Sequence, residues 1–142
     1  MDKRERAFQA FGEFLEGLVR DLNDRSEDGW ALLVEGKRDE RALRELGYTG
    51  AMATVSSYSR TRGRAFGGSK AVVILTDLDR EGGTLAARFV RKLSREGFAT
   101  SLSERKRLKA ASKGVFLHVE NLSRFADTVG VRMEKTVVDT LW

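Results

Sequence analysis

The fold is decided by the stretch AVVILTDLDREGG, which occupies residues 71–83. Residues 71–76 form a continuous, largely β-branched run that is typical of a strand buried in a parallel sheet. Asp77 and Asp79 follow directly, and because residues two apart on an extended chain point to the same side, we expect their carboxylates to face one space. The two glycines that end the stretch let the backbone approach a ligand and begin the next helix, whose N-terminus favours anions. The stretch therefore predicts a buried strand that ends in an acidic site.

Short apolar runs alternate with helical patterns along the rest of the chain. Further strands are predicted at 30–34 (WALLV), 98–101 and 115–119 (VFLHV), with a weaker candidate at 52–55. Helices are predicted at 3–24, 39–46, 83–96, 103–112 with Ser103 as its N-cap, 121–129 and 132–141. Strands that alternate with helices indicate βαβ units. The pattern therefore predicts an α/β fold in which helices cover both faces of a parallel sheet of about four strands.

The first helix carries a single apolar stripe with spacings of three and four, formed by Phe8, Phe11, Leu15, Leu18 and Leu22. Such a stripe packs on its own domain or forms a dimer seam, and this one is too short to establish a coiled coil. We divide the chain into an N-terminal amphipathic helix and connector (1–29), a central domain (30–120) and a C-terminal helical extension packed on the same domain (121–142).

The composition excludes several classes of protein. A chain of 142 residues is about one domain long. It has no cysteine and a single histidine, which excludes disulfide frameworks, cysteine-bound zinc, thiol nucleophiles and histidine-rich metal sites. Any metal must therefore be held by oxygen ligands, which favours Mg²⁺, Mn²⁺ or Ca²⁺. No apolar run approaches the roughly 20 residues of a membrane-spanning helix and no secretory signal is recognised, so we expect a cytoplasmic protein without a membrane partner.

A second acidic group follows the strand predicted at 30–34. Glu35, Gly36, Lys37 and Asp39 come directly after it. In an open parallel sheet, ligands bind beyond the carboxyl ends of the strands, and adjacent strands lie about 4.8 Å apart. If the two strands are neighbours, Glu35 therefore shares the space of the two aspartates. Clustered carboxylates repel unless a cation lies among them or one keeps its proton, which favours a Mg²⁺ site.

Most of these residues could instead have a purely structural role. Asp77 and Asp79 are common in turns and as helix caps. Lys37 contacts a phosphate or pairs with a neighbouring acid. His118, in the middle of a predicted strand, is more often structural than catalytic. Glu120 is a further site acid or helps to start the next helix.

The two acidic strand ends, VEGKRD (34–39) and TDLDREGG (76–83), resemble the toprim domain. This domain is shared by type IA and type II topoisomerases, bacterial-type primases, old-family nucleases and the 5S rRNA maturation nucleases. The spacing of about 40 residues between the glutamate and the first aspartate also fits. The resemblance covers roughly residues 30–120, and small stand-alone archaeal toprim proteins look most similar. It implies a toprim, Rossmann-like fold.

The resemblance also implies roles for the residues that match the motif. Glu35 matches the toprim glutamate, a general acid/base and metal ligand. Asp77 and Asp79 match the Asp-x-Asp pair that binds Mg²⁺, with Mn²⁺ as an alternative. The turn residues of the motif are Gly36, Gly82 and Gly83, and the pattern also includes Lys37, Asp39 and Arg80.

The rest of the chain departs from the large toprim enzymes. It has no topoisomerase clamp, no zinc module of a primase and no P-loop of an old-family nuclease. A minimal toprim unit fits Mg²⁺-dependent phosphodiester cleavage by a small nuclease acting on structured RNA. Two alternatives stay open: a non-catalytic nucleic-acid-binding module that works with a partner, and a primase-like nucleotidyl transferase. RNA is favoured over DNA as the partner, and a protein partner or a homodimer also stays open.

Basic charge is concentrated in two segments, 56–70 and 104–113, although the whole chain has only 26 basic against 21 acidic residues. The segment 56–70 is also the longest stretch predicted to be irregular, and Tyr58 within it either stacks on a base or packs its own loop. The alternative for both segments is that they keep the protein soluble. The residues expected to contact phosphates are Lys37, Arg60, Arg62, Arg64, Lys70, Arg80, Arg105, Lys106, Arg107 and Lys109.

Overall fold

The structure is a computed structural model, and it describes residues 2–115 and 117–126. Within these residues the helices are α1 (Lys3–Glu27), α2 (Lys37–Glu45), α3 (Val55–Thr61), α4 (Arg80–Arg95) and α5 (Ser103–Ser112). The strands are β1 (Trp30–Val34), β2 (Met52–Thr54), β3 (Ala71–Ile74) and β4 (Ala99–Ser101). Two 3₁₀ helices lie at Arg62–Phe66 and Val119–Phe125. No helix in this part of the chain combines the length and the apolar character needed to cross a membrane.

The four strands form one parallel sheet in the order β2-β1-β3-β4. β1 pairs with β2 on one side and with β3 on the other, so the sheet reverses its winding between β1 and β3. Leu33 is in register with Ile74, and the Leu75 amide continues the ladder by donating to the Leu33 carbonyl at 2.8 Å. The prediction of an α/β fold with a parallel sheet of about four strands is therefore confirmed.

Side chains of β1 and β3 alternate between two apolar layers. Leu32 and Val73 belong to the layer formed with α1, α2 and α5. Leu33 and Ile74 belong to the opposite layer, formed with α3 and α4. Because helices cover both faces of the sheet, the two central strands are apolar throughout, as their sequences predict.

The apolar stripe of α1 packs within the chain. Its members Phe11, Leu15, Leu18 and Leu22 are buried, whereas Phe8 is 42% exposed. The Phe8 ring stacks on that of Phe125, with centroids 4.4 Å apart. The stripe therefore contributes to the core of this domain, in agreement with the first of its two interpretations.

The prediction of a strand at 115–119 is wrong for the residues that the structure describes. Val119 begins a 3₁₀ helix, and the preceding residues are irregular. The backbone here bonds to the loop after β3 instead of to a neighbouring strand. Leu78 N–H donates to the Leu117 carbonyl at 2.6 Å, and Val119 N–H donates to the Asp77 carboxylate at 2.8 Å. A short apolar run does not by itself distinguish these two arrangements.

The segment 56–70, predicted to be irregular, is largely helical. α3 covers its first part, and the 3₁₀ helix Arg62–Phe66 follows. Tyr58 and Phe66 are 0% and 1% exposed, and Tyr58 also packs edge-on against Phe89 of α4. Tyr58 is therefore a core residue and is not available to stack on a base.

Several helix boundaries differ from the prediction. α4 begins three residues earlier than expected because Asp79 caps it. Ser103 is the first residue of α5, and Leu102 takes the N-cap position. The helix predicted at 121–129 begins inside a 3₁₀ helix, and its end lies outside the described residues, as does all of the helix predicted at 132–141.

The start of α4 lies directly against the end of β3. Asp79 Oδ1 accepts a hydrogen bond from Gly82 N–H at 2.7 Å, and the Thr76 hydroxyl donates to the Gly82 carbonyl at 2.7 Å. A Cβ at Gly82 would lie 1.9 Å from the Asp77 carbonyl oxygen. This position therefore requires glycine, and the close approach fixes both aspartates relative to the sheet.

Gly82→Ala is expected to destabilise the fold by about 1–3 kcal/mol, the usual range for overpacking a tight contact. Gly83→Ala is the matched control, because a Cβ there meets nothing closer than the Arg105 guanidinium at 3.7 Å. Urea unfolding of both variants beside the parent chain measures the difference. Equal stability of the two variants would contradict the close approach.

Candidate functional site

Glu35 and Asp77 meet at the carboxyl edge of two adjacent strands. Glu35 follows β1 directly, and Asp77 lies three residues beyond the end of β3. The backbone N–H of Asp77 donates to Glu35 Oε1 at 3.2 Å, which joins two residues 42 apart in the sequence. The two acidic strand ends therefore share one space, as expected for neighbouring parallel strands. We call this part of the sheet, with Glu35, Asp77 and Asp79, the acidic edge.

The two aspartates are held by different donors. Asp77 Oδ1 accepts from the backbone N–H of Val119 at 2.8 Å, whereas Asp79 Oδ1 accepts from that of Gly82 at 2.7 Å. Their remaining oxygens face His118, whose Nδ1 lies 3.3 Å from Asp77 Oδ2 and 4.0 Å from Asp79 Oδ2. Asp79 is therefore a helix cap, as its structural alternative predicts, and the imidazole lies beside both carboxylates.

Burial and neighbouring negative charge shift the pKa values of the groups at this edge. Burial and, next, the charge of Asp77 raise the pKa of Glu35 to about 6. Burial and Asp77 also raise the pKa of Asp39, whose carboxylate accepts from Gly36 N–H at 3.0 Å. The hydrogen bond to Asp77 raises the pKa of His118. Each shift favours the proton-bound form, as expected for acids close together in a partly dry site.

Arg105 supplies a positive charge beneath this edge. The residue is 7% exposed, with Nε donating to the Thr76 carbonyl at 3.3 Å and Nη2 to the Asp77 carbonyl at 2.6 Å. Burial lowers its pKa, and the charges of Asp79, Glu35 and Asp77 oppose that change. The guanidinium that the sequence assigns to a phosphate is therefore engaged with the backbone at the end of β3.

The donors at this edge suit a hard divalent cation, although they do not form a ready-made metal centre. Among residues 2–115 and 117–126, no three His, Cys, Asp or Glu side chains are grouped so that they could hold a metal ion. Glu35, Asp77 and Asp79 offer only carboxylate oxygens, and burial and, next, the charge of Asp77 raise the pKa of Glu35. Mg²⁺ commonly takes one or two protein carboxylates and completes its coordination with water and phosphate oxygens. The residues present fit that mode of binding.

A groove of about 420 Å³ opens beside Glu35, and α4 forms its wall. Arg80, predicted to contact a phosphate, lies at the first residue of this helix and lines the groove. Arg88, about two turns further along, also lines it. Both arginines are exposed. The complete lining is Glu35, Arg80, Glu81, Thr84, Leu85 and Arg88.

The cations of the segment 56–70 lie elsewhere. Lys70 immediately precedes β3 and so lies at the amino edge of the sheet. Arg62 and Arg64 line a second groove with it, of about 500 Å³. Arg60 is exposed on α3. The second groove is therefore separated from the aspartates by the length of β3.

The other predicted phosphate contacts have mixed surroundings. Arg107 forms an ion pair with Asp21 of α1 at 2.9 Å. Lys106 and Lys109 are exposed on α5. Lys37 is exposed at the first position of α2, two residues after the glutamate that follows β1. Lys37 is thus the predicted lysine that lies beside the acidic edge.

The position of His118 beside Asp77 was not predicted from the sequence, and Arg88 was not identified. The chain after α5 returns to the acidic edge, and no local pattern around His118 indicates this return. Arg88 lies eight residues after Arg80. Their common helix face could have been recognised from that spacing.

Comparisons with known proteins find relatives that match most of the chain, although no family model matches it. The chain is 31% identical to the UPF0292 protein of Methanosarcina barkeri over 122 residues, which cover 84% of this chain and 85% of that protein. It is 30% identical to the UPF0292 protein of Methanosarcina acetivorans over 129 residues, covering 87% and 90%. The solved structure of a putative protein from Aquifex aeolicus is similar with a TM-score of 0.62 and 27% identity, covering 74% of this chain and 94% of that one.

Removing the Glu35 charge is expected to stabilise the metal-free protein increasingly as the pH rises towards neutrality. A carboxyl group whose pKa is about 6 when folded, against an ordinary value of 4.5, reduces stability as the pH rises through this interval. Glu35→Gln keeps an oxygen acceptor for the Asp77 N–H but cannot ionise. Between about pH 4 and about pH 7, the variant should therefore gain stability relative to the parent, by at most about 2 kcal/mol.

Chemical denaturation in EDTA at a series of pH values measures this gain. Glu27→Gln is the matched control, because it removes an exposed carboxylate at the far end of α1. A stability difference for Glu35→Gln that does not change with pH would contradict the raised pKa.

Proposed function

The chain belongs to the UPF0292 family, and we propose that it is a metal-dependent phosphodiesterase that cleaves nucleic acid. One observation carries the proposal: Glu35 and Asp77 meet at the carboxyl edge of two adjacent parallel strands, and Asp79, two residues further on, lies beside the same imidazole as Asp77. The sheet reverses its winding at this point, which is where open α/β sheets bind their ligands. The motifs around these residues resemble the toprim domain, and we propose that the sheet is a toprim fold.

Asp77 and Asp79, together with Glu35, would hold Mg²⁺ or Mn²⁺. When bound, the ion would supply Lewis-acid stabilisation of the charge on the scissile phosphate and the leaving oxygen. The raised pKa of Glu35 supports this assignment, because a nearby cation would offset both the burial and the charge of Asp77 that raise it. In the metal-free chain, His118 lies close to both aspartates. Cation binding is expected to displace the imidazole from this position.

Glu35 would move the proton in this reaction. Its pKa is about 6 without a metal ion, so both protonation states are accessible near neutral pH, and a bound cation would favour the carboxylate, which is the form that accepts a proton. As a carboxylate, it would take a proton from water while the water oxygen bonds to phosphorus. The bond from phosphorus to the leaving oxygen breaks, and that oxygen takes up a proton from solvent. The Asp77 N–H holds Glu35 Oε1 at 3.2 Å and so restricts the orientation of the carboxylate.

A polyanionic substrate agrees with the charges near this edge. Arg80 and Arg88 are exposed in the groove beside Glu35, and Lys37, two residues after Glu35, is also exposed. Contacts with phosphates supply most of the non-specific affinity of proteins for nucleic acids. We propose structured RNA as the preferred substrate, on the resemblance to the rRNA maturation nucleases.

A non-catalytic nucleic-acid-binding module is the second candidate, and two observations favour it. Asp77 Oδ1 and Asp79 Oδ1 already accept hydrogen bonds from the backbone. The described residues also contain no group of three side chains arranged to hold a metal ion. In this case the arginines beside the edge would bind phosphates without cleavage.

Cleavage of a substrate panel in Mg²⁺ or Mn²⁺ distinguishes the two candidates. The panel contains structured RNA, single-stranded RNA, and single- and double-stranded DNA. Asp79→Asn keeps an oxygen that can cap α4 but removes the charge. We expect cleavage by the parent chain and a loss of about a hundredfold or more in Asp79→Asn, the order found when one group that stabilises charge is removed.

Asp28→Asn is the matched control, because it changes an exposed aspartate at the end of α1 and should cleave as the parent does. Equal cleavage by Asp79→Asn and the parent would contradict the proposed metal site. Binding that weakens steeply with salt, without cleavage in either metal, would identify the binding module. Incorporation of labelled nucleotide on a template would instead identify a nucleotidyl transferase.

A further inference from the structure

One exposed face of α4 carries two arginines, the first close to the acidic edge and the second further from it. Arg80 and Arg88 both line the groove that begins at Glu35, and both are exposed. Thr84 lies between them on the same face, because steps of four residues stay on one side of a helix. Among the described residues of α4 that line the groove, Glu81 is the single acid. The helix therefore contributes a net positive charge to the groove.

The spacing of the two arginines suits a chain of phosphates. Eight residues of α-helix rise about 12 Å. Stacked nucleotides rise about 3.4 Å each along one strand, so the two arginines span about three to four nucleotides. A mononucleotide would therefore contact one of these arginines at a time, whereas an oligonucleotide reaches both.

We propose that the groove lined by Arg80, Thr84 and Arg88 is the path of one nucleic-acid strand as it leaves the acidic edge. The inference rests on the proposed function and adds the route of the substrate. Arg80 contacts the phosphate nearer to Glu35, and Arg88 contacts one further along. The planar guanidinium suits bidentate contact with phosphate oxygens. The Thr84 hydroxyl already donates to the Arg80 carbonyl at 3.2 Å, so the arginines are the phosphate donors.

Two observations favour this groove and this ligand over the alternatives. The groove lined by Arg62, Arg64 and Lys70 lies at the amino edge of the sheet, so it is not continuous with the carboxylates. The groove along α4 starts at Glu35 itself. It also contains the half-buried side chain of Leu85, against which a ribose or base can pack. An acidic peptide is the other polyanion that two arginines can bind.

Binding of a fluorescein-labelled single-stranded RNA of about 10 nucleotides tests the path, measured by anisotropy over a range of salt. The full chain carries Glu35→Gln so that the probe is not consumed, and Arg88→Ser is compared with Arg91→Ser in that background. Arg91 is exposed on the same helix but does not line the groove. Arg88→Ser should weaken binding about threefold or more and reduce the slope of log K against log salt by about 0.7. Arg91→Ser should leave both unchanged.

Equal affinities and slopes for the two serine variants, or no RNA binding in the Glu35→Gln background, would overturn the path. A labelled polyglutamate peptide that binds more tightly than the RNA, and that Arg88→Ser selectively weakens, would assign the groove to acidic peptides. Failure of the proposed function has a different signature. The chain with Glu35 intact would then cleave nothing, while Arg88→Ser would still lose RNA affinity.

Discussion

The parallel pairing of β1 with β3 is the constraint on which the acidic edge depends. It places two strand ends side by side although the chain between them is long. The ladder continues to its last residues, where Leu75 N–H donates to the Leu33 carbonyl at 2.8 Å. Just beyond, Asp77 N–H donates to Glu35 Oε1, and the two segments of the chain then separate into α2 and α4. Without this pairing, Glu35 and Asp77 would belong to unrelated loops.

Tight packing behind the acidic edge fixes the backbone that carries its charged side chains. Gly82 allows α4 to begin against the Asp77 carbonyl, and buried Arg105 donates to the same carbonyl at 2.6 Å. With the backbone held in this way, Glu35 stays in a partly dry position where its pKa is raised to about 6. Its ionised form opposes folding at neutral pH. Shifted pKa values of this kind are common at functional sites. Here the shifted group lies at the carboxyl ends of the strands, where open α/β sheets bind their ligands.

The acidic edge could be predicted from sequence because local chemistry specifies its parts. Apolar runs directly before Glu35 and Asp77 indicate strands, and a parallel topology then brings their ends to one side. His118 could not be predicted in the same way, because its contact with Asp77 spans 41 residues and the apolar run around it resembles a strand. The position of the cations before β3 could not be predicted for a related reason. Charge density does not tell which edge of the sheet a loop reaches, and Lys70 lies at the amino edge.

Titration of the Glu35 carboxyl carbon by carbon-13 NMR, with and without Mg²⁺, tests the central claim most directly. The resonance is assigned by its loss in Glu35→Gln. We expect a pKa of about 6 in EDTA and a lower apparent pKa in Mg²⁺, because a cation among the carboxylates favours their charged forms. Asp79→Asn should weaken the response to Mg²⁺. An ordinary value near 4.5 in EDTA, or a raised pKa that Mg²⁺ does not change, would contradict a cation-binding acidic edge.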